Sequence, residues 1–156
     1  MYAPKTLSAA LEKVRAHGGS AGVDGQSIER FEARPEEYLA ELSESLRTGQ
    51  YRPMAIRRVE IPKGDGATRP LGIPAVKDRI VQTAVKLVIE PIFEAMFHPS
   101  SYGFRPGRSC KDALREVDAL IKDGYRYVVD ADLKGYFDSI PQKRTFIVSG
   151  KRSLSG

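Results

Sequence analysis

The sequence predicts an α+β fold, rich in helix, with one β-hairpin and one further strand. Three observations carry this. Helical apolar spacing recurs in four segments, and period-two alternation over residues 56–73 flanks a Gly-rich turn. A β-branched and aromatic run at 125–129 then ends in paired acids. At 156 residues the chain is one domain or part of one, long enough to bury a core.

The first helix is predicted over 5–17, where Leu7, Ala10, Leu11 and Val14 fall on one face and Gly18-Gly19 ends the run. The next stretch, GGSAGVDGQSIERF, carries four glycines and Asp24-Gly25, so it reads as a loop. A second helix fits 35–47. Pro35 suits its first turn, Glu36 and Glu37 its positive end, and Arg47 its negative end; Tyr38, Leu39, Leu42 and Leu46 form the stripe.

In the hairpin, Val59 and Ile61 share one face and Arg58 and Glu60 the other, and Leu71 and Ile73 repeat the alternation beyond KGDGAT. Its cations, Arg57, Arg58, Lys63 and Arg69, are either a solvated edge or a grip for phosphates, since guanidinium forks and ammonium charges pair with both water and phosphate oxygens. A largely buried helix is predicted from 77, ended or kinked at Pro91, with Ile92, Phe93, Met96 and Phe97 continuing its apolar face to 97.

The loop HPSSYGFRPGRS mixes Tyr102 and Phe104 with Arg105 and Arg108. That composition suits stacking on bases and pairing with a nucleic-acid backbone, or an ordinary Gly/Pro loop with aromatics tucked inward. Ser109 and Asp112 make a capping-box start for a helix over 109–122. The strand from 125 delivers Asp130 and Asp132 to one side if it stays regular. Two carboxylates so close repel unless a cation sits between them, which makes a Mg²⁺ and phosphate site the sharper expectation and a solvated strand end the plainer one.

Composition narrows the classes. The net charge of +5 favours an anionic partner, nucleic acid ahead of a membrane surface because no basic amphipathic helix stands out. One cysteine, Cys110, excludes an internal disulfide and a Cys-based zinc site; His17 and His98 are too few for a His-rich metal centre. The apolar segment 80–97 is broken by Lys86, Glu90, Pro91 and Glu94, so no membrane span is expected. The N-terminus has no secretory pattern, which points to a cytoplasmic protein associated with nucleic acid.

Four runs now stand in order: AGVDG, then YRPMAIRRVEIPKGDGATRPLGIPAVKDRIVQTAVKLVIEPIFE, then SYGFRPGRSCKDAL, then VVDADLKGYFDSI. Together, over roughly residues 20–141, they resemble the N-terminal part of a group II intron reverse transcriptase, an intron-encoded maturase. The resemblance implies a partial right-hand polymerase. Residues 1–50 are then N-terminal extension helices that touch template RNA, and 51–124 are fingers, with the hairpin at 56–73 and helices at 77–97 and 109–122. Residues 125–141 are the first palm strand and turn.

By position in the matching motifs, the resemblance implies that Lys63 and Arg69 contact the triphosphate of an incoming dNTP. Asp132 is the catalytic carboxylate and a Mg²⁺ ligand, with the Leu133 carbonyl beside the same ion. Phe137 matches a gate that crowds a ribose 2′-hydroxyl, and it can equally pack a core. Arg105 and Arg108 match the loop along the template, with Arg57, Arg58 and Tyr102 as further nucleic-acid contacts. The partners implied are intron RNA, or an RNA template with a DNA primer, and dNTP.

The family pattern fails after Ile140-Pro141. Its later palm motifs include a Tyr-Ala-Asp-Asp-type turn, whereas this sequence runs QKRTFIVSGKRSLSG and has no Asp or Glu after Asp138. Residues 142–156 read as a divergent, disordered tail. The expectation is a truncated RNA-directed DNA polymerase that transfers a nucleotide from dNTP to a primer 3′-hydroxyl, incomplete without the missing palm. Self-association through the unpaired palm strand is expected. The alternative is a non-catalytic RNA-binding module. A phosphatase with an aspartate nucleophile is a third reading, disfavoured by Leu133-Lys134-Gly135 and the absent downstream acids.

Overall fold

The computed structural model describes residues 2–62, 64, 66, 68–133 and 136–139, without the side chains of 137 and 138. The chain divides into two units, Met1–Pro106 and Gly107–Gly156.

The first unit begins with helix α1, Pro4–His17, with proline at its start, where the missing N–H costs nothing. Leu7, Ala10, Leu11 and Val14 are all buried, as their spacing predicts. Helix α2, Ile28–Glu32, corrects the reading of this stretch as a loop. Five residues are too short to show a period, but the Ser27 hydroxyl caps the helix by accepting from the Arg30 N–H at 3.3 Å. Its Ile28 and Phe31 enter the core, and the Phe31 ring lies 5.0 Å from that of Tyr38, tilted by 36°. Helix α3, Pro35–Arg47, follows with Glu36 and Glu37 in its first turn.

Strands β1, Arg57–Pro62, and β2, Thr68–Ile73, form an antiparallel hairpin. The register pairs Val59 with Leu71, Arg57 with Ile73, and Ile61 with Arg69. The four apolar residues therefore share one face with Arg57 and Arg69, while Arg58 and Glu60 occupy the other. Helix α4, Val76–Glu94, runs as one piece through Pro91. Pro91 does not end the helix: the ring removes one hydrogen bond, yet the helix continues to Glu94, with its cap at Ala95.

The core of this unit joins α1, α2, α3 and α4 through Leu7, Leu11, Phe31, Leu42, Val76 and Ile80, with Tyr38, Tyr51 and Leu87 packed around them. Each large side chain buried this way contributes roughly 1.5–3 kcal/mol relative to exposure. The N-terminal segment and the helix after the hairpin are thus one folded body, which joins residues the sequence assigns to extension and to fingers.

In the second unit, α5 spans Cys110–Lys122 behind the capping box foreseen in the sequence. The Asp112 N–H reaches the Ser109 hydroxyl at 3.3 Å, and Asp112 Oδ2 accepts the Ser109 N–H at 2.9 Å. The Ser109 hydroxyl, donating to Asp112 Oδ2 at 2.6 Å, and then the Ser109 N–H hold the Asp112 carboxyl below its usual range, with Arg115 adding to the effect. Leu114, Val117, Leu120 and Ile121 form the predicted stripe, but all are exposed.

The strand expected from 125 does not form. Residues 125–133 are exposed and unpaired by any strand; Tyr127 and Val129 are more than nine-tenths accessible. A β-branched run needs neighbours for its backbone N–H and C=O groups, and among the described residues the only sheet is β1–β2. A short helix, α6, spans Tyr136–Ser139. The tail at 142–156 lies outside the described residues. Among the described residues no helix is long and apolar enough to cross a membrane.

Candidate nucleic-acid interface

The hairpin presents Arg57, Arg58 and Arg69 as exposed side chains. Arg57 is tied back: its Nη1 donates to the Ala21 carbonyl at 3.1 Å, joining β1 to the glycine-rich loop after α1. Arg58 donates from Nε to Glu60 Oε1 at 2.9 Å on the outer face, a solvent-exposed pair of small energetic weight. Arg69 stands opposite Ile61, close to the hairpin tip. Lys63, the expected triphosphate contact beside it, lies outside the described residues.

The loop after α1 is held from three sides. Arg79 of α4 donates from Nη1 to the Gly18 carbonyl at 3.2 Å and from Nη2 to the Ser20 carbonyl at 2.7 Å. Gly22 lies against the backbone before α4, where a Cβ would meet the Ala75 Cα at 2.5 Å. Only glycine allows so close an approach. Sequence reasoning missed Arg79, because a lone arginine in VKDRIVQ carries no pattern; the glycines of AGVDG were visible, but not what they approach.

Arg105 is the clearest surprise. Its side chain is only 7% exposed. The guanidinium Nη2 meets Glu94 Oε1 at 2.6 Å and Nε meets the same carboxylate at 3.0 Å. Nη1 donates to the carbonyls of His98 at 2.9 Å and Ser101 at 2.8 Å. The group also lies 5.1 Å over the Phe97 ring. A guanidinium has five N–H donors, and this one commits four of them within the fold. Arg105 thus fastens the 98–105 loop to the end of α4. Beyond it, Phe104 has φ 57°, a left-handed backbone rare for an aromatic residue, and its ring is fully exposed. Tyr102 is half-buried, and Arg108, at the start of the second unit, is likewise intermediate.

Asp132 and Leu133 are exposed, and Asp132 Oδ1 accepts the Leu133 N–H at 2.9 Å. Asp130 is exposed as well. Among the described residues no three of His, Cys, Asp and Glu gather into a metal-binding group. Mg²⁺ is commonly held by one or two carboxylates together with substrate phosphates, so Asp132 with the Leu133 carbonyl fits part of such a donor set. Phe137 falls in α6, and its side chain lies outside the described part.

Comparison with known proteins agrees with the motifs. The family model for reverse transcriptase (RNA-dependent DNA polymerase) matches residues 61–153. Protein YkfC of Escherichia coli is 46% identical over 138 residues, 86% of this chain and 36% of its own length. The group II intron-encoded protein LtrA of Lactococcus lactis is 42% identical over 106 residues, 67% of this chain and 18% of its own. Nuclear intron maturase 2, mitochondrial, of Arabidopsis thaliana is 37% identical over 73 residues, 47% of this chain and 10% of its own. The chain thus spans about a third or less of the length of these relatives. It belongs to the reverse transcriptase family, in the group II intron and maturase branch.

Proposed function

We propose that this chain is the RNA-gripping and nucleotide-facing part of a group II intron reverse transcriptase, which copies an RNA template into DNA. The reaction is nucleotidyl transfer: the primer 3′-oxygen bonds to the α-phosphorus of a dNTP, the bond to pyrophosphate breaks, and the hydroxyl proton leaves. The observation that carries this reading is that the family match at 61–153 includes β2, the 98–108 loop and Asp132 together.

In this reading Arg69, with Lys63, neutralises the triphosphate, because phosphoryl transfer is catalysed mainly by positioning and charge stabilisation. Asp132 and the Leu133 carbonyl would hold Mg²⁺, which when bound stabilises charge on the reacting oxygens. Phe137 crowds a ribose 2′-hydroxyl, and Arg58, Tyr102 and Arg108 lie along the nucleic acid. Arg105 acts through the loop it fastens. Further carboxylates for the ion would come from sequence beyond these 156 residues, since none follows Asp138.

The test is primer extension on an RNA template, with the chain supplied with a separate polypeptide carrying the remaining palm and thumb. Restored synthesis that Asp132→Ala abolishes supports the assignment; restored synthesis indifferent to that change overturns it. RNA binding without catalysis is the second reading. It is favoured by the location of the packed core at residues 7–84, apart in sequence from the exposed Asp132.

A further inference from the structure

We propose that the groove between α1 and α4 is a seat for the phosphodiester backbone of a single RNA strand. This deepens the RNA-binding reading, rests on it, and assigns residues outside the hairpin and the 98–108 loop.

The groove has an apolar floor of Val14 and Leu87 and a rim of donors: Lys13 and His17 from α1, and Arg79, Gln82, Thr83 and Lys86 from α4. Three of these are permanent cations, and Glu90 is the one carboxylate in the wall, paired with Lys86 at 3.2 Å. Some helix cations elsewhere are answered by acids one turn away, as in Arg47 with Glu44, Arg115 with Asp112 and Lys122 with Asp118, while Lys5 and Lys111, like Lys13, have no ion pair among the described residues. Lys13 and Arg79 form no ion pair among the described residues. The Arg79 guanidinium meets only neutral carbonyls, and its buried Nε has no partner among them. Its charge is left to act on whatever occupies the groove.

His17 adds direction. Its Nδ1 lies 2.7 Å from the Lys13 carbonyl, which can only accept, so Nδ1 carries the hydrogen and Nε2 is left to a ligand. A sugar–phosphate strand matches the whole arrangement. Phosphate oxygens meet Lys13 and Lys86, and a ribose 2′-hydroxyl, both donor and acceptor, suits Thr83 and Gln82. The apolar floor takes the sugar or a base face.

The experiment measures binding of a single-stranded RNA oligonucleotide to the full chain across a salt series. The groove variant carries Lys13→Ala with Lys86→Ala, and a charge-matched control carries Lys5→Ala with Lys111→Ala. Each phosphate contact on a single strand steepens the logarithmic salt slope by about 0.7, so losing two lowers it by about 1.4. At 0.1 M salt that corresponds to roughly 10–30-fold weaker binding. The control pair should change affinity far less. In the unmodified chain, RNA should shield Lys13 and Lys86 from amine acetylation, a readout that does not depend on any variant folding.

Equal losses in both variants would reduce the groove to diffuse charge and overturn the proposal. RNA binding that leaves Lys13 and Lys86 reactive would overturn it while leaving the RNA-binding reading intact. Equal shielding by inorganic phosphate at matched phosphate concentration would assign a free-anion site instead. No RNA affinity in the unmodified chain would remove both readings.

Discussion

Tyr51 donates its phenolic hydrogen to Oδ1 of Asp78 at 2.5 Å, and Asp78 Oδ2 accepts the Met54 N–H at 2.9 Å. Asp78 lies 2% exposed in the first turn of α4, so the segment leading into β1 hangs on one buried carboxylate. A helix N-terminus favours the negative charge there, and the two donors replace the water it has lost. Tyr51→Phe leaves Oδ1 without that donor and should cost about 1–3 kcal/mol, read by urea unfolding. An unchanged midpoint would show that the bond contributes nothing.

Burial, and then the bond to Asp78, push the Tyr51 hydroxyl well above its usual range. The unfolded chain therefore loses this proton first as pH rises. The contribution is fully present below the ordinary tyrosine value near pH 10 and declines above it. Unfolding curves of the parent chain should weaken more steeply above about pH 10 than those of Tyr51→Phe. Parallel alkaline profiles would contradict the link.

Arg105 tests clamp against contact. Arg105→Ala removes charge-assisted bonds worth about 1.5–3 kcal/mol each in isolation and should free the 98–105 backbone to exchange. Arg105→Lys should not restore protection, because one ammonium cannot span Glu94 and two carbonyls. Hydrogen exchange across this loop is the measurement. Lost RNA affinity with unchanged loop protection would return Arg105 to direct nucleic-acid contact.

Gly22→Ala should destabilise the chain by about 1–3 kcal/mol, since the new methyl meets backbone atoms of Ala75 and Pro74 that cannot turn aside. Gly25→Ala has open space and meets only its backbone φ of 66°, so about 1 kcal/mol is expected. Thermal unfolding of the two variants should rank them in that order. The reverse order would show that the loop does not seat on α4.

How much was legible follows from which signals are local. The α1 and α3 stripes, the hairpin alternation and the Ser109–Asp112 cap are set by residues within one or two turns, and each appears where the sequence put it. α2 escaped because Ser27, Ile28 and Phe31 act over five residues amid glycines. Arg79, Asp78 and Glu94 escaped because their partners lie 61, 27 and 11 positions away, distances that no period encodes. The run Tyr127-Val128-Val129 was read from propensity alone, and propensity forms no strand without a neighbour. The motifs gave the family through Asp132 and its neighbours, but the identity of a motif residue says nothing of whether its side chain is spent on the fold, as Arg105 shows.

The central claim is that this chain grips RNA through its phosphates. Its most direct test is the affinity of the unmodified 156-residue chain for single-stranded RNA as salt is raised from low concentration. Measurable binding is expected, its logarithm falling linearly with the logarithm of salt at about 0.7 per phosphate engaged. No affinity at low salt, or affinity indifferent to salt, would contradict it.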